Sequence, residues 1–248
     1  MSIYVVTHKQ IPHIEQKGYK TICVNSNRAR ICADYYDNSG DNISNKNESY
    51  CELTALYWIW KNTSDDIIGI DHYRRFFIDD NSKISIEKVR SILSSYDIIL
   101  PQKDTFKRKM GFRFWTTSGY KEDLTKIRKV LEKRFPEYLK DYDTFMDQYK
   151  MYSYNMMILS KPLYDKYCEW LFTILSDLEK QINPNNRYGY YRRIFGFIGE
   201  RLLNVYIIHN KYRIKEIPIQ YIGEKPSIIK RVIVRCKKAI DKAKGRKN

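Results

Sequence analysis

The sequence offers no cysteine pair at metal-ligand or redox spacing. Its five cysteines (Cys23, Cys32, Cys51, Cys168, Cys236) are odd in number, and none stands in a C-x-x-C pattern. That argues against a zinc site and a disulfide framework, and for reduced thiols in a cytoplasm. No apolar run approaches the ~18 residues of a spanning helix, and no basic-then-apolar leader opens the chain. A soluble or peripheral protein is therefore expected. Acidic residues are scarce, 29 against 45 Lys and Arg, for a formal net charge of +16. The excess is uneven: residues 225–248 hold ten basic residues and one acid. A uniformly basic surface would favour nucleic acid, whereas a basic tail on a milder body points elsewhere.

With 248 residues the chain can bury a full core, as one large α/β domain or two small ones. It carries 22 tyrosines, a residue that lines clefts stacking on sugar rings or bases. The chain is organised around Ser49 to Phe77. Ser49 and Glu52 have capping-box spacing and predict a helix start. Leu53, Leu56, Tyr57 and Trp60 then define one apolar face, with Asn62 as the C-cap. Asp66 to Asp71 has the continuous apolar middle of a strand covered on both faces. Directly after it stand Asp71, His72, Tyr73, Arg74 and Arg75. In open α/β sheets ligands sit beyond the carboxyl ends of strands, and guanidinium forks suit phosphate oxygens. Extended backbone would send Asp71, Tyr73 and Arg75 one way, His72 and Arg74 the other. The same composition also fits a solvated turn with an ion pair.

These residues carry a resemblance. Gly40-Asp41-Asn42-Ile43-Ser44, Lys46-Asn47, Tyr50 to Asn62, Ile68-Gly69 and His72 to Phe77 together resemble a bacterial family of polysaccharide-biosynthesis proteins. That family was long catalogued as a domain of unknown function, and its members are described as capsular or exopolysaccharide glycosyltransferases. Further matches include the R-x-F-G-x-x-x-E-R-L-L spacing from Arg193 and the first strand with its His8-Lys9 pair. The resemblance implies a GT-A-like α/β domain with a central mixed, mostly parallel sheet flanked by helices. It also implies transfer of a sugar, galactose or galactofuranose being candidates, from a nucleotide-diphosphate sugar to a growing polysaccharide or lipid-linked glycan. A UDP-sugar is the favoured donor.

Along the chain, residues 2–7 read as a strand delivering Thr7, His8 and Lys9 to a ligand edge, or merely to a turn. Residues 19–24 read as a second strand. Residues 25–48 form a polar stretch too long for an ordinary connection, expected to fold over a ligand with Asp41, Asn42 and Lys46. Ser85 caps a helix to Ser94, and residues 96–100 form a strand. Residues 102–120 interleave cations with aromatics (Lys103, Phe106, Arg108, Phe112, Arg113, Trp115), a pattern fit for single-stranded nucleic acid, a sugar chain or lipid. Relatives carry histidines near its end, where this chain has Thr116 to Tyr120. Helices are expected over 121–134, 138–150 and 161–181. The strand over 154–160, with Tyr154 and Asn155 at its polar start, resembles one where GT-A enzymes meet the acceptor. Arg193 then leads into a helix reaching His209.

Donor-binding residues are expected at Thr7, His8, Lys9, His72, Arg74 and Arg75, with Tyr154, Asn155 and Arg193 toward the acceptor. Glu200 is the expected base for the acceptor hydroxyl; alternatively it pairs with Arg201 or Arg193 to stabilise the helix. Many GT-A enzymes hold Mg or Mn on an Asp-x-Asp pair. Asp71 stands near that place, but His72 and Tyr73 follow it. Arginine-based, metal-independent neutralisation is the alternative. After a last strand over 212–217, residues 227–244 read as a basic amphipathic helix suited to an anionic membrane surface, or one packed on the body. The expected division is thus 1–224 as the catalytic domain and 225–248 as a tail at the inner face of the plasma membrane. The competing classes are a nucleic-acid-binding protein, which is not favoured, and a non-catalytic assembly scaffold.

Overall fold

All six residues of the first strand, β1 (Ser2–Thr7), are buried, and this strand is the axis of the sheet. The computed structural model describes residues 1–25, 31–223, 236 and 239–244. On one side β1 pairs in parallel with β2 (Tyr19–Cys23), which pairs in parallel with the short β3 (Tyr35–Tyr36). The polar stretch then folds into a short α1 (Asn47–Tyr50) and a longer α2 (Leu53–Asn62). β4 (Ile67–His72) returns to pair in parallel with the other side of β1. Gly69 at its centre lets the two strands lie close: a Cβ there would stand 2.8 Å from Ile3 Cγ1.

β5 (Arg75–Asp79) doubles back antiparallel on β4 and pairs with β6 (Ser82–Lys83). Ser85 accepts the Lys88 N–H and caps α3 (Ile86–Leu93), which leads to β7 (Ile98–Pro101). β8 (Asp104–Thr105), α4 (Met110–Thr117), α5 (Lys121–Arg134), α6 (Leu139–Met146) and β9 (Lys150–Met151) follow. β10 (Met157–Ser160) inserts antiparallel between β4 and β7. α7 (Lys161–Glu179), α8 (Ile194–Asn210), β11 (Ile214–Ile217) and β12 (Ile219–Tyr221) complete the order. The main sheet runs β11-β7-β10-β4-β1-β2-β3. Along that path β10 runs against its neighbours and the other strands are parallel, with β5 antiparallel on β4 beside it, so the fold is α/β with a mixed, mostly parallel sheet flanked by helices.

Period-2 alternation divides the core. Tyr4, Val6, Ile68, Ile70, Met157 and Leu159 face one cluster with the residues of α2 and α4 to α8. Ile3, Val5, Ile67, Ile99 and Ile158 face a thinner cluster with Phe77, Ile84 and Val89. Both faces being covered explains the unbroken apolar runs of these strands. Each large apolar side chain so buried contributes about 1.5–3 kcal/mol.

Four local expectations are corrected. There is no capping box at Ser49: its hydroxyl donates to the Lys46 carbonyl, and α1 ends at Cys51, whose φ is +55°. Glu52 takes the N-cap position of α2 and turns its carboxylate elsewhere. The strand expected over 154–160 begins at Met157, because Tyr154 and Asn155 adopt φ of +77° and +52°. Residues 138–150 are a shorter helix, Leu139–Met146, followed by β9 pairing with β8. The basic helix expected over 227–244 lies mostly outside the described residues. Residues 239–244 are helical, and Lys242 Nζ donates to the carbonyls of Trp115 and Gly119.

Candidate active site

β1, β2 and β4 run parallel and end at one edge, where a cleft of about 620 Å³ opens. Its walls come from His8 after β1, Val24 and Asn25 after β2, the turn after β4, the junction of α1 and α2, Tyr154, and α8. That is where a parallel sheet places its ligands.

The turn after β4 is tighter than extended backbone. His72 pairs with Arg75 across a hairpin whose tip is Tyr73-Arg74. The alternation expected for Asp71 to Arg75 is therefore broken, and His72, Tyr73, Arg74 and Arg75 all line the cleft. His72 Nε2 lies 2.7 Å from the Tyr154 carbonyl oxygen. A carbonyl only accepts, so Nε2 carries the hydrogen. Burial, reinforced by the nearby Arg75 and Arg193 charges, lowers this imidazole to about 4 and keeps it neutral. His8 meets the Tyr73 ring edge-on at 5.1 Å, and its pKa is lowered by burial and then by Lys9, Arg193 and Arg74.

Three arginines supply the positive charge. The Arg75 guanidinium stacks 4.1 Å from the Tyr154 ring and 5.5 Å from Tyr221. Arg74 sits 5.1 Å from the Tyr73 ring, and Arg193 donates from Nε to Cys51 Sγ at 3.0 Å. Burial pushes that thiol up to about 11, so Arg193 faces a neutral partner. Among the described residues none of the three arginines makes an ion pair with a carboxylate. Rings hold them in place while their donors stay available for an anion.

Two carboxylates complete the cleft. Glu200 accepts the Tyr154 N–H at 3.2 Å and an Arg201 Nη1 bond at 2.8 Å. Burial raises its pKa, and the Glu52 charge adds to the rise against the opposing pull of Arg201. Glu52 accepts from Asn155 Nδ2 at 2.8 Å and is likewise raised by burial. Gly199 faces the start of α2: a Cβ there would lie 2.8 Å from Leu53 Cδ1, so a larger residue would make the Leu53 side chain shift. Successive positive φ values at Tyr154 and Asn155, and another at Cys51, place strained backbone around the same two carboxylates.

Of the expected site residues, His8, His72, Arg74, Arg75, Tyr154, Arg193 and Glu200 line the cleft. Asn155 lies behind it as the Glu52 partner. Six others are placed elsewhere. Thr7 is buried and staples its turn, donating to the Lys9 carbonyl at 2.6 Å and accepting the Lys9 N–H. Lys9 lines a separate groove with Ile11 and Phe76. Asp41 accepts from the Tyr57 hydroxyl and, with Asn42, belongs to the turn held by Asn62 at the far end of α2. Lys46 pairs with Glu179 at 2.7 Å. Asp71 is fully buried on the opposite face of the sheet from the cleft. Its Oδ1 accepts the Phe77 N–H at 3.4 Å, its Oδ2 has no hydrogen-bond partner among the described residues, and burial raises its pKa well above the usual carboxylate range. Facing away, it is not placed to hold Mg or Mn at the cleft. Glu52 and Glu200 line the cleft beside the guanidiniums, but among the described residues no group of three His, Cys, Asp or Glu side chains is placed to hold a metal ion, so the residues present do not fit a divalent ion.

Glu52 was hidden in the sequence by its helix-start spacing and Tyr221 by its lack of any motif, while Tyr190 belongs to a visible tyrosine cluster, residues 188–191 around Gly189, to which the sequence alone attaches no role. In the basic and aromatic segment 102–120 several cations lie over rings, with Lys103, Arg108 and Phe112 exposed and Phe114 buried. Lys103 lies over Tyr152, Arg108 over Phe112, and Arg113 over Phe106 at 4.8, 5.2 and 3.6 Å.

The fold has a counterpart among solved structures. The apo structure of WbbM, a bifunctional glycosyltransferase, superposes with a TM-score of 0.82 at 30% identity, over 90% of this chain and 45% of that one. The chain thus spans less than half of that protein's length. No curated protein matches the chain. A family model matches residues 2–211, and the chain belongs to that family, described as a domain of unknown function, DUF4422.

Proposed function

We propose that the chain is a glycosyltransferase that moves a sugar from a nucleoside-diphosphate donor, UDP-linked by preference, to a glycan acceptor. The observation that carries the reading is the facing of three arginines, free of carboxylate partners among the described residues, and a raised carboxylate, Glu200, across one cleft at the strand edge. Arg74, Arg75 and Arg193 hold the diphosphate and neutralise the charge that grows on it as the sugar leaves. Arginine takes the place of a divalent ion in this account. His72, neutral and fixed on the Tyr154 carbonyl, positions the turn that bears Arg74 and Arg75. Glu200 accepts the acceptor hydroxyl proton as the new glycosidic bond forms and the bond to the diphosphate breaks, an inverting displacement. Its raised pKa makes it a stronger base than an exposed carboxylate.

The similarity to WbbM supports the reaction class, and the family resemblance supports a capsular or exopolysaccharide acceptor on a lipid carrier. We assign the catalytic domain to residues 1–224 and a tail at an anionic, inner membrane surface to residues 225–248, on the tail's charge alone. No helix among the described residues is long and apolar enough to cross a membrane.

The test is thermal stabilisation by a panel of nucleotide sugars. At least one is expected to raise the melting temperature, and the Arg74→Ala/Arg75→Ala double variant is expected to lose that shift. No shift with any donor would refute the reading.

A further inference from the structure

The cleft has a neighbour. A second chamber of about 330 Å³ shares Tyr154, Tyr190, Phe197 and Glu200 with it. Glu200 therefore stands in the partition between the two, open to both. The far wall of the second chamber is built by β8, β9 and α4, the basic and aromatic segment that the donor cleft does not use. A base that must reach an acceptor hydroxyl while the donor lies in the first cleft is correctly placed only if the acceptor enters from the second.

The chamber's chemistry narrows the acceptor. The guanidinium of Arg113, on α4, lies over the Phe106 ring at 3.6 Å. Its guanidinium makes no hydrogen bond and no ion pair among the described residues, and its Nε is buried without a partner. Beside it Arg201 is 2% exposed. Arg201 spends Nη1 on Glu200 and on the Phe197 carbonyl, and Nη2 reaches Ser118 at 3.4 Å, which leaves its Nε also buried and without a partner among the described residues. Burial and the Arg201 charge lower the Arg113 pKa, the signature of a cation short of a counter-charge. Asp104 at the rim draws on Arg113 without coming within ion-pair distance. A half-buried guanidinium lacking hydrogen bonds is costly, and a ligand anion is what relieves that cost. The aromatic walls suit the apolar face of a sugar ring, and the volume lies at the low end of ligand pockets, about 300–1,000 Å³.

We propose that this second chamber is the acceptor subsite and that Arg113 selects an acceptor end bearing an anionic group, a sugar carboxylate or a phosphate. The proposal rests on the glycosyltransferase reading and names its acceptor class. Arg113 pairs with the anion through its planar fork while Phe106 fixes the plane of that fork. The acceptor hydroxyl then points at Glu200 through the shared partition.

The test reads acceptor binding directly, so it does not depend on donor turnover. Three probes are titrated into the full chain by calorimetry: a uronate-terminated disaccharide, its neutral hexose counterpart, and a hexose 1-phosphate. One or both acidic probes are expected to bind at least about tenfold more tightly than the neutral one. Preference for the uronate assigns a carboxylate, and preference for the phosphate assigns a phosphoryl group. Arg113→Gln is expected to remove the preference and Arg113→Lys to restore part of it, in variants whose melting temperatures match the parent. Equal binding of all three probes, no binding of any, or a preference that survives Arg113→Gln overturns the proposal. None of these outcomes touches the donor-stabilisation result, which stands or falls with the glycosyltransferase reading by itself.

Discussion

Asn155 donates a side-chain N–H to Glu52 at 2.8 Å, and this bond ties the left-handed turn before β10 to the start of α2. Asn155 is fully buried, and asparagine is among the few residues that adopt φ of +52° at low cost. Asn155→Ala would leave the Glu52 carboxylate without its side-chain donor and put alanine, which lacks asparagine's tolerance for the left-handed region, at this φ. The expected loss is about 2–4 kcal/mol of unfolding free energy, read from urea midpoints. A midpoint within error of the parent would show that the bond does not hold the turn.

The same pair sets a pH dependence. Burial raises Glu52, so the folded chain binds its proton more tightly than the unfolded chain does. Stability contributed by this group therefore falls as pH rises from the unfolded carboxylate value, about 4.3, through the higher folded one. Glu52→Gln keeps an oxygen for Asn155 and removes the titration. It is expected to be more stable than the parent at neutral pH, with the advantage shrinking toward acid, where both states of the parent are protonated. An advantage that is constant across pH would contradict the raised pKa.

A second buried pair is purely structural. Arg187 forks onto Asp123 at 2.9 and 2.6 Å, with exposures of 5% and 1%. Asp123 Oδ2 also accepts the Tyr120 N–H that opens α5. Asp123→Ala is expected to cost about 3–5 kcal/mol by stranding the guanidinium. An Asp123→Leu/Arg187→Met double variant is expected to recover much of it. Equal losses in the single and double variants would show that the ion pair is not the source.

The sheet was legible in the sequence because its strands are short, unbroken apolar runs whose burial on both faces leaves no other reading. Ile68-Gly69-Ile70 and Met157 to Leu159 are of this kind. Helices with caps or a clear apolar face, such as Ser85 with α3 and residues 161–179, were equally readable. What was not legible depends on single backbone angles. Cys51 at φ +55° splits one expected helix in two and turns Glu52 from a cap into a site residue. The β-turn at Tyr73-Arg74 moves Arg75 to the cleft side and leaves Asp71 behind the sheet. The motif residues Asp41 and Lys46 proved to brace helix ends. A dense motif marks a region that matters without separating scaffold from chemistry.

The role of Glu200 as the base between donor and acceptor is open to a direct measurement. Glu200→Gln keeps the side chain's size and its oxygen for the Tyr154 N–H while removing the charge. With a donor identified by thermal stabilisation, sugar transfer to acceptor is measured beside donor binding. The account predicts donor affinity close to the parent and transfer reduced roughly 10²–10⁴-fold. The acid limb of the parent's pH profile should lie above the ordinary carboxylate range. Transfer at the parental rate by Glu200→Gln would contradict the account.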